Sequence, residues 1–137
     1  MTPEQLQTRL DAFAVAIHAL ASPLLERPAG QNAGVQIIKS SSSMAQNYAS
    51  TCVARSHREF TAKIGLVLEE STETLKWLHY IENTRLATPA QTGDLIQEAG
   101  ELTAIMKASW RTAEARDKNR PPKPRRPPRD KERPAID

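Results

Sequence analysis

Apolar residues recur at alternating steps of four and three positions in several separate segments of this chain. In the first segment they are Leu6, Leu10, Phe13, Ile17, Leu20 and Leu24. Steps of four and three place side chains on one face of an α-helix, whereas a half-buried strand would alternate apolar and polar residues. No part of the chain shows the alternation typical of strands. The sequence therefore predicts an all-α fold.

Four helices are predicted from the positions where these patterns start and stop. Thr2 with Gln5, and Ser56 with Glu59, are capping-box patterns that open the first and third helices. A second helix is expected from about Gln31 and a fourth after the connector around Pro89. The inward positions expected on the second helix are Val35, Ile38, Ser42, Ala45, Ala49 and Cys52. Amphipathic helices joined by short loops predict an antiparallel up-down-up-down four-helix bundle over residues 1–115.

The segment 116–137 is predicted to be a disordered basic tail. It is rich in proline and arginine, and its six prolines are too dense for a helix to continue. This segment holds 9 Lys/Arg and 4 Asp/Glu, a net charge of +5, whereas residues 1–115 hold 10 and 12, a net charge of −2. The positive charge of the chain therefore belongs to its tail.

The remaining composition sets limits on location. Cys52 is the only cysteine, and the N-terminus lacks the basic and apolar regions of a signal peptide. No stretch approaches the roughly 18 consecutive apolar residues that a membrane span needs. A cytoplasmic protein without a membrane partner is expected.

The stretch from Gln36 to Ile81 carries three short elements that identify a family. The first is Ser40, Ser42, Ser43, Asn47 and Tyr48 on the second helix; the others are Ala54-Arg55-Ser56 with Glu59-Phe60, and Glu70, Glu73, Thr74, Trp77 and Leu78. In this stretch the chain resembles the four-helix-bundle proteins encoded in intervening sequences of bacterial 23S ribosomal RNA. It departs from their commoner form at Ser41 and Ala45, where that form has glycines, and at Ala49 and Ser50, where it has an Arg-Glu pair.

The resemblance implies an architecture and an assembly rather than an activity. Proteins of this family form ring-shaped homopentamers, and the distantly similar accessory variability proteins of diversity-generating retroelements bind nucleic acid and a reverse transcriptase. By this analogy the expected partners are further copies of the chain, RNA or DNA, and a protein such as a reverse transcriptase. Asn47 is expected to pair with a Glu or Thr on the third helix. The expected helix-packing or oligomer residues are Ser42, Ser43, Asn47, Tyr48, Arg55, Phe60, Glu70, Glu73 and Trp77.

Two Glu-x-x-Glu pairs leave one enzymatic alternative open. Glu70 with Glu73, and Glu98 with Glu101, would each place two carboxylates one turn apart on a helix, and hard cations such as Mg²⁺ prefer oxygen ligands. This pattern resembles all-α nucleoside triphosphate pyrophosphatases of the MazG type, although that family has Asp at the position of Glu101. The other interpretation is that all four carboxylates are solvated flanks of their helices.

The leading hypothesis is a non-enzymatic, oligomeric bundle without a cofactor. Its tail would bind RNA or DNA non-specifically, because extended cations neutralise phosphates without reading bases, or the bundle would act as a protein scaffold. A tail that only improves solubility is the competing interpretation. The candidate nucleic-acid-binding residues are Arg116, Lys118, Arg120, Lys123, Arg125, Arg126, Arg129, Lys131 and Arg133.

Overall fold

The computed structural model describes residues 1–119 and Arg125. The described chain forms four α-helices and no strand: α1 (Pro3–Ala21), α2 (Gln31–Thr51), α3 (His57–Asn83) and α4 (Pro89–Lys118). A short 3₁₀ helix, Ser22–Glu26, connects α1 to α2. The helices pack against one another in chain order, so the predicted all-α four-helix bundle is confirmed. No helix in residues 1–119 is both long enough and apolar enough to cross a membrane.

The helix starts follow from local hydrogen bonds. Thr2 Oγ1 accepts a hydrogen bond from the Gln5 backbone N–H at 3.1 Å, and Gln5 Oε1 accepts one from the Thr2 N–H at 2.8 Å. Thr88 and Gln91 make the same reciprocal pair at the start of α4, where Pro89 occupies the first helical position. These bonds satisfy backbone donors that have no partner within the helix.

The core consists of one apolar stripe from each helix. Its largest fully buried apolar side chains are Leu10, Ile17, Ile37, Met44, Ile64, Leu78, Ile81, Leu102 and Met106. On α1 the buried positions Leu6, Leu10, Phe13 and Ile17 belong to the face that the spacing predicts. Burial of these stripes is the main source of bundle stability, because short isolated helices are marginal in water.

The face of α2 was predicted only in part, since Ala45 is buried and Ile38 packs against the core, but three other predicted positions are exposed. Val35 is 52% exposed, and Ala49 and Cys52 are also exposed. The residues that face the core are Ala33, Gly34, Ile37, Ser40, Ser41, Met44, Ala45, Tyr48 and Thr51. The observed face buries more apolar surface than the predicted one, because it includes Ile37, Met44 and the ring of Tyr48.

A buried polar contact joins α2 to α3. The hydroxyl oxygens of Ser40 and Thr74 lie 2.8 Å apart, and Thr74 Oγ1 also donates to the Glu70 carbonyl oxygen at 2.8 Å. Thr74 is therefore the polar partner on α3, but it pairs with Ser40 rather than with Asn47. Both hydroxyls are satisfied, so their burial carries no unpaired-group penalty.

The end of α3 contains a left-handed residue that is not glycine. Arg85 has φ of 58°, the Leu86 N–H donates to the Ile81 carbonyl, and the Arg85 N–H donates to the Glu82 carbonyl, both at 3.0 Å. This is the Schellman arrangement, which usually has glycine at the left-handed position. The side chain of Arg85 therefore imposes backbone strain on a helix end that is otherwise well satisfied.

Replacing Arg85 with glycine should stabilise the protein by up to about 1 kcal/mol, because glycine adopts positive φ without steric cost. Arg85→Ala is the matched control, since it removes the same side chain but keeps the Cβ atom. Urea unfolding curves of the two variants and the parent chain provide the measurement. Equal stabilities for Arg85→Gly and Arg85→Ala would contradict backbone strain at this position.

The fourth helix extends further than predicted. It continues to Lys118, so Arg116 and Lys118 lie in its last turn rather than in an irregular tail. Arg125 is exposed and has no regular secondary structure. The rest of the predicted disordered tail, from Arg120 onward, lies outside the described residues.

Candidate functional site

The C-terminal end of α4 is attached to the start of α3 through His57. The Nε2 atom of His57 lies 3.0 Å from the Ala113 carbonyl oxygen and 3.3 Å from Asp117 Oδ1. The imidazole also stacks on Phe60, with ring centroids 6.0 Å apart. The hydrogen bond to Ala113 joins the last turns of α4 to the start of α3, whereas Asp117 Oδ1 is buried without a hydrogen-bond partner among the described residues.

Exposed cations gather at this end of the bundle. Arg116 and Lys118 lie in the last turn of α4, where positive side chains interact favourably with the helix dipole. Arg55 lies in the turn before α3 and Arg58 in its first turn, and both are exposed. The structure therefore places the start of the predicted nucleic-acid-binding segment beside two further arginines.

Of the nine predicted nucleic-acid-binding residues, the structure describes Arg116, Lys118 and Arg125, and all three are exposed. The other six lie outside the described residues: Arg120, Lys123, Arg126, Arg129, Lys131 and Arg133.

An open groove of about 910 Å³ lies at the same end. We call it the end groove. It is formed by the first turns of α1, the last turns of α2, the α2–α3 turn and the start of α3. Its lining residues are Pro3, Glu4, Gln7, Tyr48, Ala49, Thr51, Cys52, Ala54, Ser56, His57 and Phe60. Aromatic and small apolar side chains make up much of this surface.

The end groove leads into the region where α4 ends. His57 and Phe60 also line a smaller depression of about 370 Å³, whose other wall includes Thr112, Ala113 and Arg116 of α4. Within the end groove, burial raises the pKa of the Tyr48 phenol, and the neighbouring Cys52 thiol raises it further. Tyr48 is therefore a neutral, largely buried wall of the groove at physiological pH.

The predicted packing residues have different environments. Tyr48 is buried, and Trp77, which is half-buried, packs edge-to-face against Tyr80 with ring centroids 5.4 Å apart. Arg55 and Glu73 are exposed, so any packing role for these two lies between molecules. The remaining predicted packing positions are half-buried: Ser42, Ser43, Asn47, Phe60 and Glu70.

The two carboxylate pairs of the enzymatic alternative engage different partners. Arg9 of α1 binds both Glu98 and Glu101, with its Nε atom 2.8 Å from Glu98 Oε1. The hydrogen bond to Glu98 raises the pKa of Arg9 above its ordinary value. This cluster connects α1 to α4, so these two carboxylates already have a cationic partner.

The Glu70 carboxylate lies on α3, and burial raises its pKa, with the neighbouring Glu73 contributing in the same direction. Lys39 of α2 partly offsets this effect. Within residues 1–119 and Arg125, no three His, Cys, Asp or Glu residues are grouped so that they could hold a metal ion. The structure therefore does not bring Glu70, Glu73, Glu98 and Glu101 together as a metal site.

Sequence reasoning did not find the end groove or the contact between His57 and Asp117. Ser56 and Glu59 signalled a helix start, but no spacing in the sequence relates His57 to a residue 60 positions later. The nearest available signal was the predicted antiparallel order, which places the end of the fourth helix beside the start of the third.

A comparison with known proteins supports the fold. No protein-family model and no curated protein matches the sequence. Among solved structures, the chain is similar to a protein of unknown function from the S23 ribosomal protein family of Bacteroides thetaiotaomicron. The two share 24% sequence identity with a TM-score of 0.72, over 77% of this chain and 97% of the other. This similarity shows the same helical bundle fold.

Proposed function

We propose that this protein is a non-enzymatic helical bundle that binds RNA or DNA non-specifically through the basic segment following α4. The observation that carries the proposal is the separation of charge. Residues 1–119 contain 12 Lys/Arg and 13 Asp/Glu, whereas residues 120–137 contain 7 and 3. A nearly neutral body thus carries a segment with a net charge of +4.

The cations of this segment can neutralise successive phosphates of a nucleic-acid strand. Such contacts release counterions and depend little on base sequence. The exposed residues Arg55, Arg58, Arg116 and Lys118 extend the same charge onto the end of the bundle. The single cysteine fits a reducing cytoplasm, where RNA and DNA are both available.

Self-association is the second part of the proposal. Val15, Val35, Leu66 and Tyr80 are all between 46% and 70% exposed, although they are large apolar residues. Burying them against further copies would remove this surface from water. The family resemblance suggests a homopentamer, and several basic segments on one assembly would strengthen a weak contact by avidity. A bound protein, such as a reverse transcriptase, would use the bundle as a scaffold.

Deleting residues 120–137 should remove nucleic-acid binding, since the deletion leaves a body with a net charge of −1. All four helices end before the deletion, so helicity and oligomer size should not change. Gel-shift titrations with single-stranded RNA and with duplex DNA test the binding, while circular dichroism and light scattering monitor the body. Unchanged retention of both nucleic acids by the shortened chain would refute the proposal.

A further inference from the structure

The end groove lies at the same end of the bundle as the terminus of α4. His57 and Phe60 line both the end groove and the depression that contains Arg116. Eighteen residues of the chain follow Asn119. The groove is thus adjacent to the start of the proline-rich segment.

We propose that the end groove is a docking site for the chain's own proline-rich segment, residues 120–130. This goes beyond nucleic-acid binding, because it assigns an intramolecular partner to a surface that the proposed function does not use. It also gives a role to the prolines, which phosphate binding does not require.

The walls of the groove have the chemistry that recognises proline. Tyr48, His57 and Phe60 supply aromatic rings, and Ala49 and Ala54 supply small apolar surface between them. Grooves lined with aromatic side chains bind segments in the polyproline II conformation, whose ordering costs little entropy. Between 121 and 128 the chain reads Pro-Pro-Lys-Pro-Arg-Arg-Pro-Pro, which contains the Pro-x-x-Pro spacing at 121–124 and again at 124–127.

The groove wall also carries one carboxylate. Glu4 lies on the wall of the groove, and no Lys, Arg or His of residues 1–119 forms an ion pair with it. Lys123, Arg125 and Arg126 stand between the prolines, so a docked segment presents cations close to this carboxylate. Attraction at such a rim is modest, and the exposed Arg55, Arg58 and Arg116 at the same end oppose it, so the prolines rather than the charges select this segment.

The length of the segment is sufficient for docking. An extended polyproline chain advances about 3.1 Å per residue, so residues 120–130 span roughly 30 Å. The contact between His57 and the Ala113 carbonyl on α4 places the start of this span beside the groove. Tethering at so short a distance gives an effective concentration in the millimolar range, which is enough for a weak proline contact to form.

Docking is expected to compete with nucleic-acid binding, because the same cations are held against the bundle in one state and contact phosphates in the other. The two activities depend on different side chains, namely the prolines and the basic residues. Replacing prolines alone therefore tests docking, and its failure would leave the proposed nucleic-acid binding untouched.

Cys52 provides the probe, since it lines the groove, is exposed in the described structure and is the only cysteine of the chain. The full-length protein is compared with a full-length variant in which Pro121, Pro122, Pro124, Pro127 and Pro128 are replaced by serine. Both chains have the same charge, so the electrostatic environment of the thiol is matched. Reaction with N-ethylmaleimide should be about fivefold slower in the parent, as expected if roughly four fifths of the molecules are docked.

The control moves the thiol to the opposite end of the bundle. Gly93 lies in the second turn of α4 and has free space around it, so Cys52→Ser combined with Gly93→Cys is readily accommodated. The thiol at position 93 should react with N-ethylmaleimide at the same rate whether the tail carries the prolines or the serine substitutions. Equal reaction rates of Cys52 in the parent and the serine variant would overturn the proposal. It would also be overturned if the serine substitutions changed the reaction rate of a cysteine at position 93 as much as that of Cys52. Protection that grows with protein concentration and persists in the serine variant would also overturn it, because a second copy would then cover the groove.

Discussion

Replacing the seven Arg and Lys residues between positions 120 and 133 with glutamine should weaken binding of single-stranded RNA by roughly 100-fold at about 50 mM monovalent salt. The reason is that each cation contacting a phosphate releases a counterion, and the bundle itself has a slight negative charge. Fluorescence anisotropy of a labelled RNA measures the affinity. The prolines remain in place, so this variant isolates the contribution of charge from that of chain shape.

Two variants with four substitutions each test which positive charges contribute to RNA binding. One carries Arg126, Arg129, Lys131 and Arg133 as glutamine; the other carries Lys39, Lys76, Arg85 and Lys107, which are exposed on the bundle, as glutamine. Both lose four positive charges. The tail variant should lose far more affinity, and an equal loss in both would show that overall charge, rather than the tail, attracts the nucleic acid.

Leu102→Ala should lower the free energy of unfolding by about 2 to 5 kcal/mol. Leu102 is fully buried on α4, at 0% exposure, so its truncation removes apolar contacts and leaves a cavity. Leu66→Ala is the matched control, because Leu66 is 46% exposed on α3 and its truncation should cost about 1 kcal/mol or less. Urea unfolding followed by far-UV circular dichroism gives both values.

The same pair tests the proposed self-association. If Leu66 is covered by another copy, the cost of Leu66→Ala should rise with protein concentration, because the assembly is favoured by mass action. A large, concentration-independent loss for Leu66→Ala would instead mean that this side chain supports the single bundle. A small loss for Leu102→Ala would contradict the assignment of Leu102 to the core.

The helices were predictable because their signals are local. Thr2, Ser56 and Thr88 each accept a hydrogen bond from a backbone N–H three residues later, and such a pattern is visible in the sequence alone. The face of α2 was not predictable in this way. The predicted positions Ser42, Ala45 and Ala49 have small side chains, whereas the larger side chains of Ile37 and Met44 are the ones that pack against the other helices.

The candidate site was predictable only where it depends on composition. The density of Arg, Lys and Pro after residue 119 is evident in the sequence, and it led directly to the nucleic-acid hypothesis. The end groove combines Glu4, Tyr48, Cys52 and Phe60, which come from the ends of three helices. Its shape therefore depends on how the helix ends meet, which no periodicity records. The sequence likewise contains no sign that Arg9 binds Glu98 and Glu101, because this contact joins segments that are far apart in the chain.

The dependence of RNA affinity on salt tests the central claim most directly. If all seven cations after Asn119 contact phosphates, a plot of log affinity against log salt concentration should have a slope of about −5 for a single strand. Neutralising Arg126, Arg129, Lys131 and Arg133 should reduce the slope to about −2, since three contacts remain. A slope near zero in the full-length protein, or one that the four substitutions leave unchanged, would contradict binding through this segment.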